Sequence, residues 1–132
     1  MTRAKKKEWL EKAWSLQAEI EHYDWIIKDV SIYSSPGLNE RVASSGGNNE
    51  EKKVAGKLAE VAKAQKDRDK AMEQLNKRKL AINNLKDGTQ KKILWLRYIE
   101  HYKWEDVCYA VSYSRSRCNI IHDMALNALR II

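Results

Sequence analysis

Apolar residues recur at intervals of three and four positions along residues 4–32, which is the spacing of one face of a helix. Lysine and glutamate occupy much of the remaining surface of this stretch. The pattern therefore predicts a long amphipathic helix with coiled-coil spacing. The positions on its apolar stripe are Trp9, Ala13, Leu16, Ile20, Tyr23, Ile27 and Val30.

A second stretch with the same spacing runs from about residue 49 to residue 86. Three of its nine stripe positions are polar, so a helix of this kind needs a partner surface for its stability. We expect the two helices to form a long antiparallel, coiled-coil-like hairpin over residues 1–86. The nine stripe positions are Val54, Leu58, Val61, Gln65, Arg68, Met72, Leu75, Lys79 and Ile82.

The connection between these helices, residues 34–49, is predicted to be a loop. Pro36 disfavours helical geometry in the residue before it, and Gly37 permits a turn. The second helix is the longer one, and its apolar stripe exceeds what the first helix can cover. This surplus predicts a homodimer formed through the long helices. The predicted dimer contacts are Leu58, Val61, Met72, Leu75 and Ile82.

Three shorter helical segments follow in residues 87–132, after a break at Asp87 and Gly88, with Thr89 as the predicted cap of the first. Because their apolar faces match, we expect an all-α trihelical module with helix-turn-helix connectivity. The predicted elements are the helices 90–100, 104–111 and 115–129 and the turn 112–114.

The core of this module is predicted from the inward-facing positions of the three helices. A core of this size is about the minimum that folds. The first helix provides Ile93, Leu94, Leu96 and either Tyr98 or Ile99, the second Trp104, Val107, Cys108 and Val111, and the third Cys118, Ile121, Ala125, Leu126 and Leu129.

The outer face of the last predicted helix carries residue types that recognise DNA. Asn119 can make two hydrogen bonds with adenine, and Ile120 can contact a thymine methyl group. Arg115 and Arg117 lie on the flanks and can reach guanine or phosphate. Ser114 caps the helix, where backbone amides can hold a phosphate. The remaining candidates for DNA contact are Ser116 on the same face and Lys91, Lys92, Arg97 and Lys103 for the phosphate backbone.

The net charge of +7 and the pI near 9.4 suit a polyanionic partner. Residues 87–132 contain seven basic and five acidic residues, a net charge of +2, which favours a paired binder. Asp123 repels DNA, so we expect it to lie beyond the groove. The basic residues Arg3, Lys5, Lys6 and Lys7 could contact phosphate, but the favoured prediction for them is a solvated, flexible N-terminus.

The chain carries no sequence pattern typical of an enzyme. Cys108 and Cys118 have no metal-ligand spacing, and the three histidines are scattered, so we expect no catalytic site, metal or cofactor. The chain has no long apolar run of the kind that would predict a membrane segment. Reduced core thiols favour the cytoplasm.

A family resemblance rests mainly on residues 93–129. The stretches Ile93–Glu100, Trp104–Val107 and Tyr113–Ser116, followed by Ile121-His122 and Ala125-Leu126, resemble the C-terminal module of small phage transcriptional regulators of the ArpU/RinA type. That module is similar to region four of bacterial sigma factors. The resemblance implies a phage or prophage protein that binds double-stranded DNA and regulates late genes, with bacterial RNA polymerase as a further partner.

Three features depart from the family pattern. The turn before the second helix is usually rich in glycine, whereas this chain has His101-Tyr102-Lys103, and lysine is a poor helix cap. The family often has an aromatic residue at the position of Asn119 and a basic residue at that of Ile120. The departures at Asn119 and Ile120 lie on the face that would read DNA.

Two other functions are compatible with the same pattern. The chain could act as a protein-interaction factor that grips RNA polymerase or a repressor without specific DNA binding. It could also be a DNA-packaging component, because such proteins join helix-turn-helix modules to oligomerising helices. A protein-interaction factor would self-associate without sequence-dependent retention on DNA. A DNA-packaging component would assemble into a closed ring larger than a dimer.

Overall fold

The computed structural model of the chain describes the backbone of residues 2–33 and 48–131 and the side chains of residues 2–29 and 55–131. The described backbone contains helices and turns and no strand, which confirms the predicted all-α class. Most of the predicted loop, residues 34–47, lies outside the described residues. The helices are α1 (Arg3–Tyr33), α2 (Asn48–Asn83), α3 (Gly88–Leu94) with a following π-helical turn (Trp95–Ile99), α4 (Trp104–Val111) and α5 (Arg115–Ala128).

The chain forms two compact units whose boundary differs from the predicted one. The larger unit consists of Met1–Gln17 and Glu73–Ile132, and the hairpin unit consists of Ala18–Met72. The predicted boundary between residues 86 and 87 would assign all of α1 and α2 to a separate domain. In the structure, the start of α1 and the end of α2 instead belong with the short helices, because they share one core with them.

Within the hairpin unit, α1 and α2 are joined by an ion pair between Arg68 and Asp24. Ala64 and Ala71 are the buried apolar residues of α2 here, and Leu58 is 53% exposed. The predicted apolar stripe did not include either alanine, because alanine is only weakly apolar and is a weak signal in a sequence pattern. Val61 and Met72 are partly buried.

Within the larger unit, the start of α1 packs against the end of α2. The Arg78 side chain is buried there, and its Nε–H donates to the carbonyl oxygen of Trp9 over 2.8 Å. Its guanidinium lies over the Trp9 ring, 4.5 Å from the ring centre. Burial lowers the pKa of Arg78. The apolar side chains buried in this region are Leu10, Ala13, Leu16, Leu75, Ala81, Ile82 and Leu85.

This packing bears on two of the predicted dimer contacts. Leu75 and Ile82 are buried inside the single chain, so their side chains already serve its own core.

The short helices pack around Ile93, Val107 and Ile121, one from each, with Leu96, Trp104 and Val111 partly buried against them. The predicted core of the module is confirmed at these positions. It is also confirmed by the burial of Leu94, Tyr98, Ile99, Cys118, Ala125, Leu126 and Leu129.

The first of the short helices differs from the prediction at both ends. Asp87, not Thr89, is its cap, because the Asp87 carboxylate accepts the backbone N–H groups of Thr89 and Gln90 over 2.9 and 3.0 Å. The α-helix ends at Leu94 and widens into the π-helical turn, which the Glu100 N–H closes by donating to the Trp95 carbonyl. A turn of this kind holds one more residue than an α-helical turn.

The turn between α4 and α5 is at the predicted place. Ser112 adopts a left-handed conformation with φ of 60°, and its N–H donates to the carbonyls of Cys108 and Tyr109. The Tyr113 N–H reaches back to the Cys108 carbonyl over 3.2 Å. The bond from Ser112 to Tyr109 and the bond from Tyr113 to Cys108 together form the Schellman motif that ends many helices. It fixes the direction in which the chain leaves α4 to begin α5.

Candidate nucleic-acid interface

The start of α5 is held by its cap. The Ser114 hydroxyl oxygen accepts the backbone N–H of Arg117 over 3.2 Å, which confirms Ser114 as the helix cap. By contrast, Lys103 precedes α4 without a side-chain cap bond, in line with its residue type. Of these two helix starts, that of α5 has a side-chain cap hydrogen bond and that of α4 does not.

The first half of α5 has one buried side and one exposed side. Its buried side packs on the module through Cys118, Ile121 and His122. The predicted DNA-contacting residues of α5 are all exposed, and Ile120, an apolar residue, is 52% exposed. The exposed set, which we call the α5 outer face, is Arg115, Ser116, Arg117, Asn119 and Ile120.

Arg115 is placed by a ladder of alternating rings and guanidinium groups. Its guanidinium lies 5.2 Å from the centre of the Trp104 ring. Arg97 lies 5.1 Å from both the Trp104 ring and the Trp14 ring. Contacts of this kind contribute about 0.5–2 kcal/mol each, depending on their exposure to water. The ladder therefore favours one position for the Arg115 side chain beside the start of α5.

Arg97 has a structural task in this ladder. It is partly buried, and its Nη1–H group donates to the Tyr102 carbonyl over 2.9 Å. Among the other residues predicted to contact the phosphate backbone, Lys92 is exposed and its Nζ donates to the Ala110 carbonyl over 3.3 Å. Lys103 is exposed and Lys91 is partly buried. These three lysines lie on α3 and before α4, outside the α5 outer face.

An open cleft separates the start of α1 from the first half of α5. It is lined by Arg3 and Lys7 of α1 and by Arg115, Asn119 and Asp123 of α5, with Trp104 and His122 at its base. Arg3 lies 3.6 Å from the Asp123 carboxylate in an exposed ion pair. The prediction of a flexible N-terminus is therefore wrong for Arg3 and Lys7, because α1 already begins at Arg3 and lies beside α5.

A buried polar pair lies under this cleft. Tyr98 Oη and His122 Nε2 are joined by a hydrogen bond of 2.7 Å. Burial lowers the pKa of His122 to about 4, and nearby Lys7 and Arg97 add to this effect, while Asp123 opposes it. His122 is therefore neutral at pH 7. For that reason the 3.9 Å approach of its Nδ1 to Asp123 is not an ion pair at that pH.

The Tyr98 hydroxyl and the Cys118 thiol are both harder to deprotonate than usual. Burial is also the main cause that raises the pKa of Tyr98. Burial and a hydrogen bond with Cys108 raise the pKa of Cys118 to about 11, so its thiol remains protonated. Among the described side chains, those of residues 2–29 and 55–131, no three from His, Cys, Asp or Glu are grouped so that they could hold a metal ion.

Arg3 and Lys7 were considered as phosphate contacts from the sequence only as the less favoured alternative, and the position of α1 beside α5 was not predicted. Arg3 and Lys7 are four residues apart, so they lie on the same side of a helix. That spacing was visible in the sequence, although nothing there indicated that this side of α1 lies beside α5. Met124, 52% exposed on α5, was also missed.

Comparison with known protein families gives one match. The family described as "Protein of unknown function (DUF1492)" matches residues 32–130, about three quarters of the chain. The matched span includes the short helices and the α5 outer face. No curated protein and no solved structure is significantly similar to the chain. None of the helices in the described part of the chain is both long enough and apolar enough to cross a membrane.

Proposed function

Since the chain belongs to the DUF1492 family, whose description leaves the function open, we propose a function from the site itself: sequence-specific binding of double-stranded DNA through α5. The observation that carries this proposal is the α5 outer face. It combines two arginines, an asparagine and an exposed isoleucine on the first half of a capped helix that follows a three-residue turn. A helix presented in this way fits the major groove.

The chemistry of that face favours DNA over a protein or a small molecule. Asn119 offers a donor and an acceptor for the edge of adenine, and Ile120 offers an apolar surface to a thymine methyl group. Arg115 and Arg117 supply positive charge on either side of them. Ile120 is 52% exposed, and contact with DNA would cover it.

The regulatory role proposed here rests on the resemblance to phage regulators of the ArpU/RinA type. In this role the protein binds a promoter region of a phage or prophage in the bacterial cytoplasm and controls late genes. A homodimer would present two copies of α5, which would offset the modest charge of each. Leu58, Val61 and Met72 of the hairpin unit remain at least partly exposed for such a contact. Light scattering of the intact protein would measure its oligomeric state.

The direct test is replacement of both Arg115 and Arg117 by alanine. We expect the affinity for a duplex selected from random sequences to fall roughly 10- to 100-fold at moderate salt. The slope of log K against log salt should fall by roughly 2, because each lost phosphate contact removes about 0.9. Fluorescence anisotropy titrations at several salt concentrations measure both quantities.

The matched control replaces Lys63 and Lys66 by alanine. Both lysines are exposed on α2 in the hairpin unit, and the loss of charge is the same. An equal effect of the two double variants would reduce the role of Arg115 and Arg117 to net charge. Failure of the wild-type protein to bind any duplex at low salt would overturn the proposed function.

Asn119 provides the test of sequence specificity. If it reads adenine, Asn119→Ala should lose about 1–3 kcal/mol of discrimination at one base pair, with the other positions unchanged. Selection from a randomised duplex library measures this loss. Asn127→Ala is the control, because Asn127 is exposed on the same helix but lies two turns further along. Identical base preferences for the wild-type protein and Asn119→Ala would rule out this role.

A second candidate function is binding of a protein partner. The observation that favours it is the exposure of large apolar side chains near the turn, with Tyr109 of α4 88% exposed and Tyr113 in the turn 43% exposed. RNA polymerase is the partner that the family resemblance implies. Loss of partner binding in Tyr109→Ser with unchanged DNA affinity would assign the two functions to different surfaces.

A further inference from the structure

We infer that the first two turns of α1 form a second arm of the DNA-binding surface, in which Arg3 and Lys7 meet a backbone phosphate beside the groove that α5 enters. This inference rests on the proposed function, because it concerns the same duplex. It adds residues from the opposite end of the chain to the interface. It also assigns a ligand to the cleft between α1 and α5.

The charges around the cleft are the first argument. Arg3 and Lys7 face it from α1, and Arg115 faces it from α5. Asp123 is the acidic residue in the lining, and His122 is neutral at pH 7. Three positive charges from two helices therefore surround one open cleft that contains a single negative charge. A phosphodiester group is the anion that lies beside a helix inserted into the major groove.

The ion pairs of the two basic residues do not prevent this contact. Arg3 pairs with Asp123 and so offsets the one carboxylate that would repel DNA from this side of α5. Lys7 lies 4.0 Å from Glu11, and both side chains are well exposed. Exposed pairs of this kind are weak, so Lys7 can exchange Glu11 for a phosphate at little cost.

The position of α1 relative to α5 is fixed within the larger unit. Leu10 and Ala13 are fully buried two to three turns after Arg3. The Trp14 Nε1–H donates to the Arg97 carbonyl over 3.3 Å, and Lys6 Nζ donates to the Asn127 carbonyl of α5 over 3.4 Å. The basic turns are thus held beside α5 before DNA arrives, and preorganisation of this kind favours binding.

The test replaces Arg3 and Lys7 together by glutamine. We expect the affinity for the selected duplex to fall about 10-fold and the salt slope to fall by roughly 1 to 2, since each phosphate contact contributes about 0.9. Base preferences in a selection experiment should not change, because phosphate contacts carry no sequence information. Hydroxyl-radical footprinting should show a protected stretch of backbone that is lost in the variant.

The matched control is Lys5→Gln with Lys12→Gln. Both lysines are exposed on α1, and at about 100° per residue they lie on the opposite flank of the helix from Lys7. This control should keep the wild-type salt slope and footprint. Circular dichroism should show that both double variants keep the helical content of the wild-type protein, because all four side chains are at the surface.

The outcomes distinguish failure of the role given to Arg3 and Lys7 from failure of the proposed function of α5. Equal salt slopes for the two double variants would overturn the role of Arg3 and Lys7, while the proposed function would stand if Arg115→Ala with Arg117→Ala still loses affinity. A wild-type protein that binds no duplex at low salt would overturn both. A lower slope with an unchanged footprint would place the two residues in the general electrostatic field and would also overturn the inference.

Discussion

Trp14→Ala is expected to lower the free energy of unfolding by about 3 kcal/mol, at the lower end of the range for large aromatic residues because Trp14 is only partly buried. Trp14 connects α1 to the short helices. Its ring stacks on Tyr98 with centroids 5.8 Å apart and lies 4.9 Å from the His101 ring. Its Nε1–H donates to the Arg97 carbonyl. Urea unfolding followed by circular dichroism measures the change.

Trp25→Ala is the control within the same helix. Trp25 is 64% exposed, so its replacement should change the free energy of unfolding by no more than about 0.5 kcal/mol. A fragment containing only residues 87–132 tests the same point, and we expect it to lack a cooperative unfolding transition. If that fragment folds as stably as the whole chain, α1 does not support the short helices as inferred here.

The second large effect is a loss of stability in acid. His122 has a pKa of about 4 in the folded chain, against about 6.5 for an ordinary histidine. Between these two pH values His122 binds a proton in the unfolded chain but not in the folded chain. The free energy of unfolding therefore falls as the pH falls. The total loss is on the order of 3 kcal/mol between pH 6.5 and pH 4, with no change from this group above pH 7.

His122→Gln isolates this effect from the titration of carboxylates in the same range. Glutamine cannot take up the proton, yet it can still form a hydrogen bond with Tyr98 Oη. The free energy of unfolding of the variant should therefore vary less with pH between 6.5 and 4 than that of the wild-type protein. Parallel pH profiles for the two proteins would contradict the burial of a neutral His122.

The positions that were predicted correctly from sequence depend on short-range pattern. The core residues of α4 and α5, such as Val107 and Ile121, follow helical spacing between clear breaks. Ser114 was identified as a cap because serine directly before a helix has a known local role. The exposure of Asn119 follows from the same spacing. Such features need only a few neighbouring residues to be specified.

The features that were missed depend on contacts between distant residues or on weak signals. Trp14 and Arg97 are 83 residues apart, so no local pattern could show that α1 joins the short helices. Ala64 and Ala71 escaped notice because a methyl side chain contributes little to an apolar stripe. Asp87 was regarded as a helix breaker, although a carboxylate before a helix is also a strong cap.

The candidate site shows the same division. The α5 outer face could be predicted because it is the complement of the buried face on one helix. Phosphate contact by Arg3 and Lys7 was only the less favoured alternative from the sequence, since a basic run near a chain terminus usually remains in solvent. Only the packing of α1 in the larger unit brings these two residues to the same cleft as Arg115.

The two turns that flank α4 suggest a route to a more robust protein. His101 and Ser112 both have left-handed backbone conformations, with φ of 65° and 60°. Residues with a side chain adopt this geometry at a cost of roughly 1–2 kcal/mol, which glycine largely avoids. Glycine at position 112 would recover part of that energy, whereas glycine at position 101 would also remove the His101 ring that lies against Trp14. Ser112→Gly would therefore suit crystallisation, because the protein would tolerate higher temperature.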